Sequence, residues 1–153
     1  MDEAHLAILR QTAAQFRRAI EQARLERAPG ALPYFPEGAC RMTSRLLAQH
    51  LAGRAHRAPA QLVSGVVPGT ATPARHYWLE VDGTVIDLTA DAFGESAVVV
   101  GSPTPFHRSL VARIEEDATA ALAALSPDEA ARLARQLAAI EARLPRDGEP
   151  PTA

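Results

Sequence analysis

The sequence predicts an α+β fold, with helices at both ends of the chain around a small antiparallel sheet. Three observations predict it. Apolar residues recur at three- and four-residue steps from Leu6 to Ala23, and again from Leu133 to Leu144, the period of helices that bury one face. Between these stretches the period shortens to β-branched and aromatic runs, residues 61–67 and 76–81, bounded by Pro and Gly. The dipeptide Asp82-Gly83 then separates residues 76–81 from the apolar run 84–88. That is a hairpin signal, because a type I′ turn needs positive φ and Gly accepts it without steric cost.

Taken in order, residues 2–27 read as the first helix, with Leu6, Leu9, Ala13, Phe16, Ile20 and Ala23 on one face and Pro29-Gly30 as its stop. Pro33, Pro36 and Gly38 make residues 31–38 an extended, irregular approach. A second helix is expected from about Cys40 to Leu51, with Leu46, Leu47 and Leu51 inward and Gly53 as an αL terminator. Strands follow at 61–67, 76–81, 84–88 and 98–100. After the Pro-interrupted residues 101–107, the stripe Leu110, Ile114, Ala118, Ala121, Leu122 and Leu125 predicts a third helix. Ser126-Pro127-Asp128-Glu129 is a capping box with Pro at the first helical position, so a fourth helix begins there. Residues 145–153 are polar, contain three prolines and are expected to be a disordered tail. The expected organisation is one domain, residues 1–144. Its core spans about 31–107 between flanking helices at 2–28 and 108–144.

Length and composition narrow the function classes. At 153 residues the chain buries enough surface to fold without a disulfide or metal staple. A net charge of −2 gives no basic excess for nucleic acid or for an anionic membrane. All sixteen basic residues are Arg, a compositional bias and not a mechanism. The longest apolar run near the middle of the chain, residues 97–100, is strand-sized. One cysteine, Cys40, excludes an internal disulfide framework and points to a reducing compartment. The first residues lack the basic-then-apolar order of a signal peptide, so the expected location is the cytoplasm; an effector exported without such a signal would read the same way. No cofactor is expected, and the oligomeric state stays open. Cys40, His50, His56, His76 and His107 are residue types that bind zinc, yet no CxxC, HxxxH or HExxH spacing joins them, and no metal is expected. Arg54, Arg57 and Arg75 are a candidate anion cluster, for which scattered surface Arg is the blander account.

The candidate chemistry centres on Cys40. A thiol at the start of a helix meets the positive end of the helix dipole and free backbone N–H groups, which favour the nucleophilic thiolate. Gly38 beside it lets a substrate backbone come close. A lone cysteine is more often a small buried hydrophobe, so the hairpin matters. With Asp82-Gly83 as the turn, Val81 opposes Thr84 and Trp78 opposes Asp87. Strand alternation then puts His76, Trp78 and Glu80 on the same face as Val85, Asp87 and Thr89. Asp87 becomes a diagonal neighbour of His76, able to accept its ring N–H and fix its tautomer. Asp87 also lies between Ile86 and Leu88, where an unpaired carboxylate would be costly. Asp91 is the alternative orienter.

Gly38-Ala39-Cys40 before a helix, His76-Tyr77-Trp78-Leu79-Glu80 on a strand and Asp87 on the next resemble the transglutaminase-like branch of the papain-like cysteine enzymes. In that superfamily the chain order is Cys, His, Asp, often with an aromatic residue two positions after the His. Residues 85–93 resemble the continuation seen in compact bacterial members, and the resemblance covers about residues 34–107. The Cys-to-His separation, 76 − 40 = 36 residues, fits only the compact relatives. The resemblance implies a Cys40 nucleophile, a His76 base and an Asp87 orienter acting on a protein or peptide, as deamidase, peptidase or transglutaminase-like enzyme. Trp78, Tyr34 and Gly38 are the expected substrate-binding residues. The Cys40 backbone N–H is the natural first oxyanion donor, with Tyr34 or Gln15 as candidates for the second. The alternative class is a non-catalytic interaction module that keeps the fold and offers its helical stripes to a partner.

Overall fold

Asp2 opens the first helix: its carboxylate accepts the His5 backbone N–H at 2.7 Å, and α1 runs Glu3–Leu25. In the computed structural model, which describes residues 1–54 and 59–146, α1 turns Leu9, Ala13, Phe16, Ile20 and Ala23 into the core, as its periodicity predicts. Arg24 then donates to the Phe35 carbonyl at 2.6 Å, and the Arg17 guanidinium lies 4.8 Å from the Phe35 ring centre. Helix α1 therefore anchors the turn-rich approach to α2 (Cys40–Ala52). Gly53 ends α2 with φ −69°, so it closes the helix in right-handed geometry and not as the αL terminator expected.

The strands are β1 (Ala60–Val67), β2 (Ala74–Val81), β3 (Thr84–Asp87), β4 (Val99–Gly101) and β5 (Val111–Asp117). All neighbours are antiparallel, in the order β4-β3-β2-β1-β5. The hairpin has the predicted register, Val81 opposite Thr84 and Glu80 opposite Val85, and both turn residues have positive φ, 50° at Asp82 and 73° at Gly83. Alternation gives the sheet two different faces. Leu62, Leu79, Val81, Ile86 and Leu88 join the main core with α1, α2 and α5 (Pro127–Glu141). Val63, Trp78 and Val85 form a second, smaller cluster on the other face, closed by Val99 and Leu110.

Two elements correct the sequence reading. The expected helix over 108–125 is strand β5 followed by a short helix, α4 (Ala118–Ala123). Every residue of β5 is exposed, so its apolar spacing buries nothing as a helix; as a strand it supplies β1, buried over Leu62–Gly65, with a second hydrogen-bonding neighbour. Long-range pairing here overrides local helix period. The flanking-helix span 108–144 therefore reduces to α4 and α5, the latter opened by the predicted Ser126–Glu129 capping box. Within residues 101–107, expected to be irregular, Thr104 caps a one-turn helix, α3 (Pro105–Ser109). Most of the expected tail, residues 147–153, lies outside the described residues.

Candidate active site

The hairpin builds the first part of the site. His76 on β2 and Asp87 at the end of β3 are both buried, and His76 Nε2 lies 2.6 Å from Asp87 Oδ2. Asp87 Oδ1 accepts the Thr89 backbone N–H at 2.9 Å. Burial works against the charged forms of both groups, and their partners outweigh it. The Asp87 carboxyl is lowered to about 2 by the hydrogen bonds from His107, His76 and Thr89. His76 is raised to about 9 by Asp87 and Cys40. Asp87 is thus a carboxylate at neutral pH, and a carboxylate only accepts, so His76 Nε2 carries the hydrogen.

The other ring nitrogen, Nδ1, is buried without a partner of hydrogen-bond geometry. Cys40 lies close enough to the His76 ring to join Asp87 in raising it. Cys40 belongs to α2, which packs on the main-core face, whereas His76 faces the smaller cluster. They meet at the start of β2, where Cys40 Sγ lies 3.9 Å from the carbonyl oxygen of Arg75.

Cys40 is half-buried and is the first residue of α2. Gly38 leads into it with φ 67°, a left-handed turn that glycine adopts freely. The N-cap residue is Ala39, which provides no side-chain cap, and the first turn of α2 has no acidic residue. By contrast α1, α3, α4 and α5 are each capped by a side chain. Thr43 N–H makes the first intrahelical bond, to the Ala39 carbonyl, so the amides ahead of it are available to an anion at the thiol. The side-chain cap that the four other α-helices carry is missing at Cys40.

The remaining expectations divide. Trp78 is corrected: at 1% exposure it has no surface to offer a substrate. Its ring stacks on His76 at 5.8 Å and its N–H donates to Glu80 at 3.0 Å, so it supports the imidazole from within. Tyr34 is 80% exposed on the approach, and Gln15 is half-buried on α1; no hydrogen bond ties either to Cys40. Asp91 is corrected as an alternative orienter, because Arg17 holds both its oxygens at 2.6–2.7 Å. Arg75 crosslinks the Ser64 hydroxyl and the Ala112 carbonyl, each at 3.0 Å, which removes it from any anion cluster; Arg57 lies outside the described residues. His50 joins α2 to α5 through Glu141 at 2.8 Å, and His56 also lies outside the described residues.

Sequence reasoning missed the role of His107. Its Nε2 lies 2.8 Å from the same Asp87 Oδ2, and its Nδ1 is 2.8 Å from Thr104 Oγ1. Thr104-Pro105 was the available signal, an N-cap followed by Pro, the same start that marks α5. Among the described residues His76, Asp87 and His107 are also the group whose ligand-type atoms converge, within 4.8 Å. Both nitrogens point N–H at one oxygen, however, which leaves neither a lone pair for a metal. Donors around an ion at about 2.0–2.2 Å would also have to spread to roughly 3 Å apart. The arrangement is a hydrogen-bonded network. Comparison of the chain with protein-family models, curated proteins and solved structures finds no match. Among the described residues no helix is long and apolar enough to cross a membrane.

Proposed function

We propose that this chain is a cysteine-dependent amide hydrolase or acyltransferase, papain-like in the transglutaminase-like sense, with Cys40, His76 and Asp87 as its triad. The observation that carries the proposal is the 2.6 Å His76–Asp87 contact through Nε2, which leaves Nδ1 unpartnered in a ring that lies close to the thiol at the uncapped start of α2. The thiolate of Cys40 attacks an amide carbonyl carbon. The S–C bond forms, the carbonyl electrons move to oxygen, and the amides of the first α2 turn receive that charge. As the oxyanion collapses the C–N bond breaks, and the leaving amine takes the proton from His76 Nδ1. Water or an amine then attacks the thioester and gives its proton to His76; as this second intermediate collapses the S–C bond breaks and the thiolate is restored. Water yields deamidation or peptide cleavage, and an amine yields transamidation. Asp87 holds the ring orientation and stabilises the imidazolium throughout.

A thiol that is only half-buried, with exposed Tyr34 and Gly38 shortly before it in the chain, supports a peptide or protein side chain as substrate. A nucleophile that must stay reduced supports action in the cytoplasm. The test is alkylation of Cys40 by iodoacetamide near neutral pH, read by intact mass. Fast labelling that collapses in His76→Ala is expected. An inert thiol in the folded protein would return the chain to the interaction-module reading. A search for Gln→Glu mass shifts in a proteome exposed to the protein would then find the substrate.

A further inference from the structure

His107 is buried, and its ring meets the triad at Asp87 and His76. The ring touches Asp87, Thr104 and the rings of His76 (6.4 Å between centres), Trp78 (5.1 Å) and Phe106 (5.5 Å). The titratable groups of this cluster are therefore His107, His76 and Asp87, with Cys40 beyond His76. A carboxylate oxygen has two lone pairs, and on Asp87 Oδ2 the two imidazoles take one each. With Oδ1 held by Thr89, the carboxylate cannot rotate about its axis without breaking a bond. The hydroxyl of Thr104 completes the chain. In the neutral His107 ring it donates to Nδ1 and so selects the tautomer whose Nε2 carries the hydrogen. Its lone pair meanwhile accepts the His107 backbone N–H at 3.4 Å, so one residue both caps α3 and sets the tautomer.

We propose that His107 is a positioning residue for the Cys40–His76 pair: it locks the Asp87 carboxylate, which in turn holds the His76 ring with Nδ1 toward the thiol. The inference rests on the cysteine-enzyme reading above and extends it to a fourth side chain, itself set by Thr104. Without His107 the carboxylate has a free oxygen lone pair in an apolar surround and can swing. The imidazole it steers then loses its fixed aim.

The test compares the alkylation rate of Cys40 near pH 6 with that near pH 10, where an ordinary thiol is ionised without help. In the wild type the ratio of the two rates is expected to be high. His107→Ala should lower the rate near pH 6 by about tenfold and leave the rate near pH 10 unchanged, because a positioned pair matters only where the thiol needs a partner. His107→Gln keeps a side-chain N–H within reach of Asp87 and should recover most of the loss. Thr104→Val, which keeps the shape and removes the hydroxyl, should lower the ratio by a smaller factor. A merely structural His107 would depress the melting temperature without moving the ratio, and that result overturns the proposal. If His107→Ala does not fold, Thr104→Val decides: a wild-type ratio in that folded variant overturns it. The two failures are separable. A ratio that falls in His76→Ala but not in the His107 and Thr104 variants sinks the positioning role alone. A ratio indifferent to His76→Ala sinks the cysteine-enzyme reading and this inference with it.

Discussion

Four side chains, Cys40, His76, Asp87 and His107, come together from α2, β2, β3 and α3, and each is defined by what its partners leave free. His76 is the clearest case, since Nε2 is spent on Asp87 and Nδ1 is buried without a partner. If the roles are as proposed, Cys40→Ser abolishes alkylation and His76→Ala lowers its rate near pH 6 by about tenfold or more. Asp87→Asn should cost no more than His76→Ala and leave the fold intact, because the amide still bonds its neighbours in part. Triad members act as a unit, so once turnover is measurable the Cys40–His76 double variant should be hardly worse than either single one. An Asp87→Asn variant that unfolds, while His76→Ala labels at the wild-type rate, would make Asp87 a structural carboxylate and refute the assignment.

At the scale of elements, the site depends on how α3 and its link to β5 close over the smaller face of the sheet. Gly65 on β1 stands opposite His76, and a Cβ built there would come within 2.7 Å of the Leu110 Cβ, in the link between α3 and β5. Gly65→Ala should therefore push Leu110 outward and destabilise the protein by about 1–3 kcal/mol. Urea unfolding checks this, and an unchanged midpoint would show that the link yields freely. Gly65 and the β1–β5 register shift between Ser64 and Val66 lie at this same place. The elements were unevenly legible in the sequence. The β2–β3 hairpin was readable because its turn chemistry is local, and so were α1 and α5, whose caps and buried stripes agree. Strand β5 was not, because its residues 111–117 share an apolar spacing with a helix and only β1, nearly fifty residues earlier, selects the strand.

For the whole molecule, Arg17 is the bond between the helical layer and the segment that follows β3. It is buried and donates to the Leu88 carbonyl at 2.6 Å, the Ala97 carbonyl at 2.9 Å and both oxygens of Asp91. Arg17→Met should cost about 2–4 kcal/mol by leaving these acceptors unpaired, which a thermal melt would register. The pH dependence of stability has a defined shape. His76 is raised from 6.5 to about 9, so its contribution is complete below pH 6.5 and is lost as pH rises through about 9. Asp87 is lowered from 3.8 to about 2, so its contribution is complete above pH 3.8 and is lost as pH falls through about 2. Unfolding free energy should accordingly peak between those inner limits and decline on the alkaline side. In His76→Ala the decline should be shallower; an equal slope would assign the loss to other groups.

The sequence by itself determined the features set by neighbours in the chain: the α+β class, the start of α2 at Cys40, and the His76–Asp87 pairing, which follows from a two-residue turn and the two-residue period of strands. It determined which residues could serve as a triad. Tertiary structure decided the rest, because the remaining choices are settled by contacts between residues distant in sequence. Arg17 takes Asp91 and leaves Asp87 to the imidazole, β1 turns a helix-like stripe into β5, and Trp78 is enclosed where a substrate face was expected. His107 gives the plainest instance. Thr104-Pro105 marks the start of its helix, but no local feature says which acid it will meet, and His50 is also buried and also paired with an acid. Only the folding of α3 against the far face of the sheet brings its Nε2 to the oxygen that His76 already holds.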